Sequence, residues 1–207
     1  MIGAGPAGSA IATLLARAGW SVALVEQQAF PRRKVCGECV AASNLALLDA
    51  LGVGAAFAGR AGAELRRVAL MRGEGSIVAP LPAAAGAHRY GRALGREHLD
   101  TLLADAAEAA GAARWQPWSL QAIAGNAGRF VLRVRRDETG EEAELGAGLV
   151  VAAHGSWQPL PSERDERRET RSRGDLFAFK ANFRDATLAA DLLPVLSFAG
   201  GYGGMVV

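Results

Sequence analysis

Ile2-Gly3-Ala4-Gly5-Pro6-Ala7-Gly8 opens the chain, and Ser21-Val22-Ala23-Leu24-Val25-Glu26 follows it after one helical stretch. The first segment has the form G-x-G-x-x-G, and Glu26 stands eighteen residues after Gly8. From Ala7 to Ala18 the apolar residues Ile11, Leu14, Leu15 and Ala18 recur at helical spacing, and Gly19 stands where a C-terminal glycine belongs. The run 21–25 is short, apolar and β-branched, as in a strand that a parallel sheet buries on both faces. Together these parts predict a dinucleotide-binding βαβ unit. The first glycine permits a tight turn, the second lets a pyrophosphate approach the backbone, and the third lets helix and strand pack closely. Pro6 and Ala7 begin the helix, whose unpaired N–H groups and partial positive charge suit phosphates. A carboxylate at Glu26 accepts hydrogen bonds from ribose hydroxyls. A glycine triplet alone is weak evidence; the helix, strand and acidic residue at these distances are what give it weight. Only Met1 and Ile2 represent the strand that should deliver the chain to Gly3, so a truncated sequence is expected.

The 207 residues are half hydrophobic and 21% charged, with a formal net charge of +2. That composition describes a globular chain able to bury a core. So small a net charge implies no nucleic-acid partner, and the motifs of nucleic-acid modules are absent. Residues 2–16 are apolar but lack a basic leader, and no stretch reaches the ~20 apolar residues of a membrane helix, so neither a signal peptide nor a membrane span is expected. Cys36 and Cys39 provide no disulfide framework, which fits a reducing cytoplasm.

Further along, 41–51 reads as a helix with Leu45, Leu48 and Leu51 on one face. Alternation predicts strands at 64–72 and 76–80, about the turn at Gly73 and Gly75. A helix follows over 96–110, with Leu99, Leu102, Leu103 and Ala106 as its apolar stripe. Strands are then expected at 115–123, 129–136, 142–146 and 148–153, the middle two joined by a hairpin at Glu138-Thr139-Gly140. The charge cluster 159–174 reads as a solvated connector, after which 175–183 and 195–207 look strand-like again.

Arg32-Arg33-Lys34-Val35-Cys36-Gly37-Glu38 resembles the K-x-C-G-[ED] segment of a flavoprotein superfamily. That superfamily contains the p-hydroxybenzoate hydroxylase-fold monooxygenases, the geranylgeranyl reductases and the flavin halogenases. Residues 91–112 are similar to its R-x-x-[FL]-D-x-x-L segment, 149–158 stand in the place of its D-G motif, and 196–207 are similar to its G-G-Y strand. The resemblance implies an α/β fold: a Rossmann-like FAD-binding domain intertwined with part of an antiparallel β-sheet substrate domain, the first strand and the C-terminal portion missing. The segments expected are 1–62 and 91–158 for the FAD-binding domain, 63–90 and 175–207 for the substrate domain, and 159–174 for the connector. It further implies that FAD lies against Arg33, Lys34, Cys36 and Gly37, and that Arg96 reaches it from a helix that also carries Asp100. The chemistry implied is reduction or monooxygenation of an apolar small molecule with electrons from NAD(P)H, the reductase-like branch being slightly favoured. His154 stands where most relatives carry Asp, and the family's late G-D motif does not occur.

Catalytic side chains are not identified by these patterns. Lys180 and Tyr202 are polar residues in apolar surroundings, candidates for a pocket lining or for an exposed strand face. His154 fits either a general base beside the flavin or a backbone hydrogen bond at a strand end. Cys36-x-x-Cys39 keeps open a flavin dithiol/disulfide oxidoreductase. A non-catalytic nucleotide-binding remnant is the other alternative. His88, His98 and His154 are too scattered for a metal site.

Overall fold

In the computed structural model, residues 1–155, 160–161 and 176–207 are described. The helices are α1 (Pro6–Arg17), α2 (Ala42–Ala50), α3 (Gly54–Ala58) and α4 (Arg96–Ala109). The strands are β1 (Ala23–Val25), β2 (Cys39–Val40), β3 (Arg67–Arg72), β4 (Gly75–Pro80), β5 (Arg92–Ala93), β6 (Ala113–Trp115), β7 (Ser119–Asn126), β8 (Arg129–Arg135), β9 (Glu142–Ala147), β10 (Leu192–Phe198) and β11 (Gly201–Gly204). The chain forms two compact units, one of Met1–Arg32 with Asp100–Phe177, the other of Arg33–Leu99 with Ala178–Val207. Residues 33–62 and 91–99 fall in the second of these units.

The first unit is built on a small parallel sheet. β1 pairs with β6, and Ile2 bridges in parallel both to Val25 and to Ala152. The spatial order is therefore β6, β1, Ile2, Ala152, the order of a dinucleotide fold around its first strand. Met1 and Ile2 make that strand's backbone bonds: Val25 N–H donates to Met1 O at 2.9 Å and Ala153 N–H to Ile2 O at 2.8 Å. Leu24 and Val25 point to opposite faces, as strand geometry requires. Leu24 joins Ala4, Ala12, Ala107 and Ala112 on the helical face, while Val25 joins Trp118, Leu120, Leu132 and Val134 of the antiparallel sheet β7-β8-β9.

Four expectations are corrected in this unit. The buried side of α1 is Gly8, Ser9, Ala12 and Thr13, whereas Ile11 and Leu14 are exposed. Small residues face the sheet because Gly8 brings the helix too near for larger ones. The Ser9 and Thr13 hydroxyls are satisfied by Ala4 O at 3.0 Å and Ser9 O at 2.8 Å. In α4, Leu99 and Leu103 are buried as expected, but Ala104, Ala107 and Asp100 complete the buried side in place of Leu102 and Ala106. The strand expected over 115–123 is two strands, β6 in the parallel sheet and β7 in the antiparallel one, broken at Pro117, which has no N–H for a ladder. Residues 148–153 contribute only the bridge at Ala152. The charged stretch 162–173 lies outside the described residues.

The second unit holds the sheet β11-β10-β3-β4, antiparallel except for the parallel β3–β10 pair, and the short pair β2–β5. Leu45, Leu48 and Leu51 are buried as their spacing predicts, with Val53, Phe57 and Leu65. Among the described residues 176–183 no strand forms, and Leu176, Phe177, Phe179 and Phe183 are exposed, against the strand expected at 175–183. The chain's last strand, β11, ends at Gly204.

Candidate dinucleotide site

Gly3 leaves the strand with φ +97°, its N–H donating to Val25 O at 2.8 Å. A Cβ there would stand 2.6 Å from Ala153 O, so only glycine fits both the dihedral and the space. A Cβ on Gly8 would overlap the Gly3 carbonyl oxygen. These two contacts fold the loop flat against the start of α1. Gly5 is the residue before that helix and Pro6 its first, where the missing N–H costs nothing. Ala7 and Gly8 lie in the first turn, where backbone N–H groups have no partner within the helix.

Glu26 follows β1 and is buried. Its Oε2 accepts the Ala4 N–H at 3.0 Å and its Oε1 accepts the Gln28 N–H at 3.0 Å. The carboxylate is thereby fastened to the glycine loop it was expected to serve. Ala153 and His154 pass directly over Gly3: a Cβ on Gly3 would stand 2.8 Å from His154 Cα. The buried His154 Nδ1 has no hydrogen-bond partner among the described residues.

The second group of expected residues belongs to the other unit. Arg33 is largely exposed, with its Nε 3.9 Å from Glu97 Oε1. Arg33, Lys34 and Val35 line a concavity of about 180 Å³ together with Lys180 and Asn182. Cys36 and Cys39 are free and exposed, and the Glu38 N–H approaches Cys36 Sγ at 3.5 Å. Burial first, and Cys36 second, push the Cys39 thiol up, the opposite of what a thiolate nucleophile needs. A Cβ on Gly37 would meet nothing, so that position is not held by lack of space. Arg96 begins α4, and its N–H donates to Glu38 Oε1 at 2.9 Å; Lys180 Nζ pairs with the same oxygen. Glu38 reaches both from a left-handed backbone, φ +57°. Tyr202, on β11, is exposed.

So Gly3, Gly5, Pro6, Ala7, Gly8 and Glu26 come together in one unit, and Arg33, Lys34, Cys36, Gly37 and Arg96 lie in the other. Sequence reasoning missed Arg32, whose Nη2 lies 3.5 Å from Glu26 Oε2 and 3.4 Å from Asp100 Oδ2. In a run of three cations nothing local distinguishes the buried one. It missed Lys180 as the partner of Glu38 for a different reason: 142 residues separate them.

The family described as FAD binding domain matches residues 1–197. The chain belongs to that family. The menaquinone reductase of Mycobacterium tuberculosis is 31% identical over 172 residues, covering 82% of this chain and 41% of that protein. A kynurenine 3-monooxygenase of Xanthomonas oryzae pv. oryzae is 38% identical over 122 residues, covering 54% of this chain and 26% of that one. Among solved structures, a flavoprotein/dehydrogenase from Cytophaga hutchinsonii superposes with a TM-score of 0.75 at 22% identity, covering 94% of this chain and 48% of its own. A geranylgeranyl bacteriochlorophyll reductase-like protein from Thermoplasma acidophilum gives 0.74 at 19% identity, covering 100% and 52%. The chain thus spans about half or less of the length of these proteins. These likenesses agree with the fold and family that the motifs in 3–38 and 92–156 suggested. The flat loop at Gly3, the uncapped first turn of α1 and the buried Glu26 carboxylate fit the pyrophosphate and adenosine ribose of FAD.

Proposed function

We propose that this chain is the dinucleotide-binding part of an FAD-dependent oxidoreductase that reduces or monooxygenates an apolar small molecule, drawing electrons from NAD(P)H. The observation that carries it is Glu26: a buried carboxylate bonded to the backbone of a glycine loop, in a chain matched by an FAD-binding family over residues 1–197. The first-turn N–H groups of Ala7 and Gly8 would hold the pyrophosphate and Glu26 the adenosine ribose. Arg33, Lys34, Cys36, Gly37 and Arg96 are proposed to line the remainder of the cofactor. FAD, when bound, supplies the hydride chemistry that no side chain provides. The protein's residues orient it and control access of water.

A menaquinone reductase and a kynurenine 3-monooxygenase among the relatives support both the reductase and the monooxygenase reading of this chain. Two free, exposed cysteines support a reducing compartment such as the cytoplasm, and no helix among the described residues is long and apolar enough to cross a membrane. The dithiol alternative draws on Cys36 and Cys39, but the raised Cys39 thiol argues against it. The test is the visible spectrum of the purified protein: flavin absorbance near one FAD per chain is expected, and its absence after incubation with FAD counts against the reading. NADPH consumption under air, with peroxide followed in parallel, then separates oxygenase from reductase.

A further inference from the structure

Arg32 sits between two buried carboxylates. Its side chain is only 11% exposed, with Nη2 3.5 Å from Glu26 Oε2 and 3.4 Å from Asp100 Oδ2. The guanidinium carbon stands 5.0 Å over the Phe30 ring, and the buried Nε has no partner among the described residues. Asp100 has no exposed surface at all, although it lies in α4 only one turn after Arg96. A carboxylate buried this deeply needs a counter-charge, and a guanidinium is the side chain that can serve two carboxylates at once. Arg32 and Asp100 are also the last and first residues of the two chain segments of their unit, so the pair ties those ends together.

The geometry at Glu26 shows what this arrangement controls. A carboxylate oxygen has two acceptor sites. Oε2 takes the Ala4 N–H and faces Arg32, while Oε1 takes the Gln28 N–H and keeps a site for a ligand hydroxyl. We propose that Arg32, held by Asp100, is the positioning residue of the dinucleotide site: it fixes the plane of the Glu26 carboxylate, so that the open site on Oε1 meets a ribose hydroxyl. This rests on the FAD reading above and assigns roles to two residues outside the glycine motif. Arg32 touches the Glu26 carboxylate and Asp100 touches Arg32; of these three side chains, Glu26 is the one that touches the ligand.

The experiment uses the whole chain and reads the quenching of its tryptophan fluorescence on titration with FAD, ADP, 2′-deoxy-ADP and 3′-deoxy-ADP. Trp115 and Trp118 flank Glu26 in the backbone bonding and supply the signal. In the unsubstituted protein, removing the recognised ribose hydroxyl should weaken ADP binding about tenfold, as expected for a hydrogen bond to a charged group. In Arg32→Gln and in the near-isosteric Asp100→Asn that ratio should collapse towards one, while Arg32→Lys retains part of it. A ratio left intact in both variants, with Glu26→Gln abolishing it, overturns the inference and leaves the FAD reading standing. Loss of the cooperative unfolding transition in both Asp100→Asn and Arg32→Lys also overturns it, because the pair would then hold the fold and not the ribose. Failure of the unsubstituted protein to bind FAD or ADP overturns the FAD reading itself, and this inference with it.

Discussion

Glu26 and Glu38 stand twelve residues apart and do similar things in different surroundings. Each accepts a backbone N–H at a helix approach, Ala4 before α1 and Arg96 at the start of α4, and each is paired with a cation, Arg32 or Lys180. Glu26 follows a parallel strand and sits within the glycine loop's own βαβ unit. Glu38 sits in an irregular segment at φ +57°, and its two partners are 58 and 142 residues away in sequence. A carboxylate whose surroundings are local can be recognised by its spacing. One whose surroundings are assembled from distant segments cannot.

The largest effect should come from the loop that Glu26 serves. Gly8→Ala would force a Cβ onto the Gly3 carbonyl, and overpacking backbone against backbone should cost about 3 kcal/mol. Urea unfolding followed by tryptophan fluorescence checks this; a loss below about 1 kcal/mol would mean that the loop gives way easily and that its flatness does not depend on Gly8. Next comes Glu26→Ala, which removes the acceptor of two N–H groups and leaves Arg32 facing only Asp100. About 2 kcal/mol of stability should be lost, together with FAD binding. Should FAD binding survive with unchanged affinity, the contrast with Glu38 would lose its functional half.

Glu38→Ala should cost less, on the order of 1 kcal/mol, comparable to losing a helix cap. Glu38→Gly separates the causes: it relieves the left-handed backbone yet still loses Arg96 and Lys180, so it should recover part of the loss. Equal stability of the two variants would show that the backbone at this position carries no strain.

Cys39 bounds the chemistry of the same segment. Its thiol is raised by burial and then by Cys36, so the midpoint of its alkylation rate against pH should fall above the ordinary value of about 8.5, and Cys36→Ser should lower it only in part. A midpoint below 7 would restore the dithiol mechanism.

The smallest effect belongs to an exposed pair, Asp191 with Arg67, which calibrates the two buried ones. The hydrogen bond from Arg67 holds the Asp191 carboxyl below its usual range. A depressed folded-state value means that the stabilisation is present above the unfolded value of about 3.9 and is lost as the pH falls through the folded one. The stability gap between the protein and Asp191→Asn should therefore be small at pH 7, shrink with added salt, and close below about pH 4. A gap that persists at pH 2 would point to packing and not charge.

Three features of the fold run against the hydropathy of the sequence. Ile11 and Leu14 look like the core of α1 and are exposed, because the contact of Gly8 with the Gly3 carbonyl sets a helix-to-strand distance that admits only small residues. Asp100 looks like a polar surface position and is fully buried, because Arg32 arrives from 68 residues upstream to neutralise it. The strand 115–123 looks continuous in hydropathy and is broken at Pro117, which hands the chain from a parallel sheet to an antiparallel one. Hydropathy registers how apolar a side chain is, but not how close a neighbour stands, which charge reaches it, or whether its N–H can join a ladder.

The sequence by itself determined the βαβ unit, its glycines, the acidic residue that closes it and the alternation of β8, since each of these depends on residues close in the chain. It also carried the segments that place the chain in an FAD-binding family. Tertiary structure alone decided which of three adjacent cations is buried, what caps α4, and which strands of the second sheet run parallel. Those outcomes depend on side chains and strands brought together across tens to more than a hundred residues, where burial makes an unpaired charge or donor costly and so selects the partner.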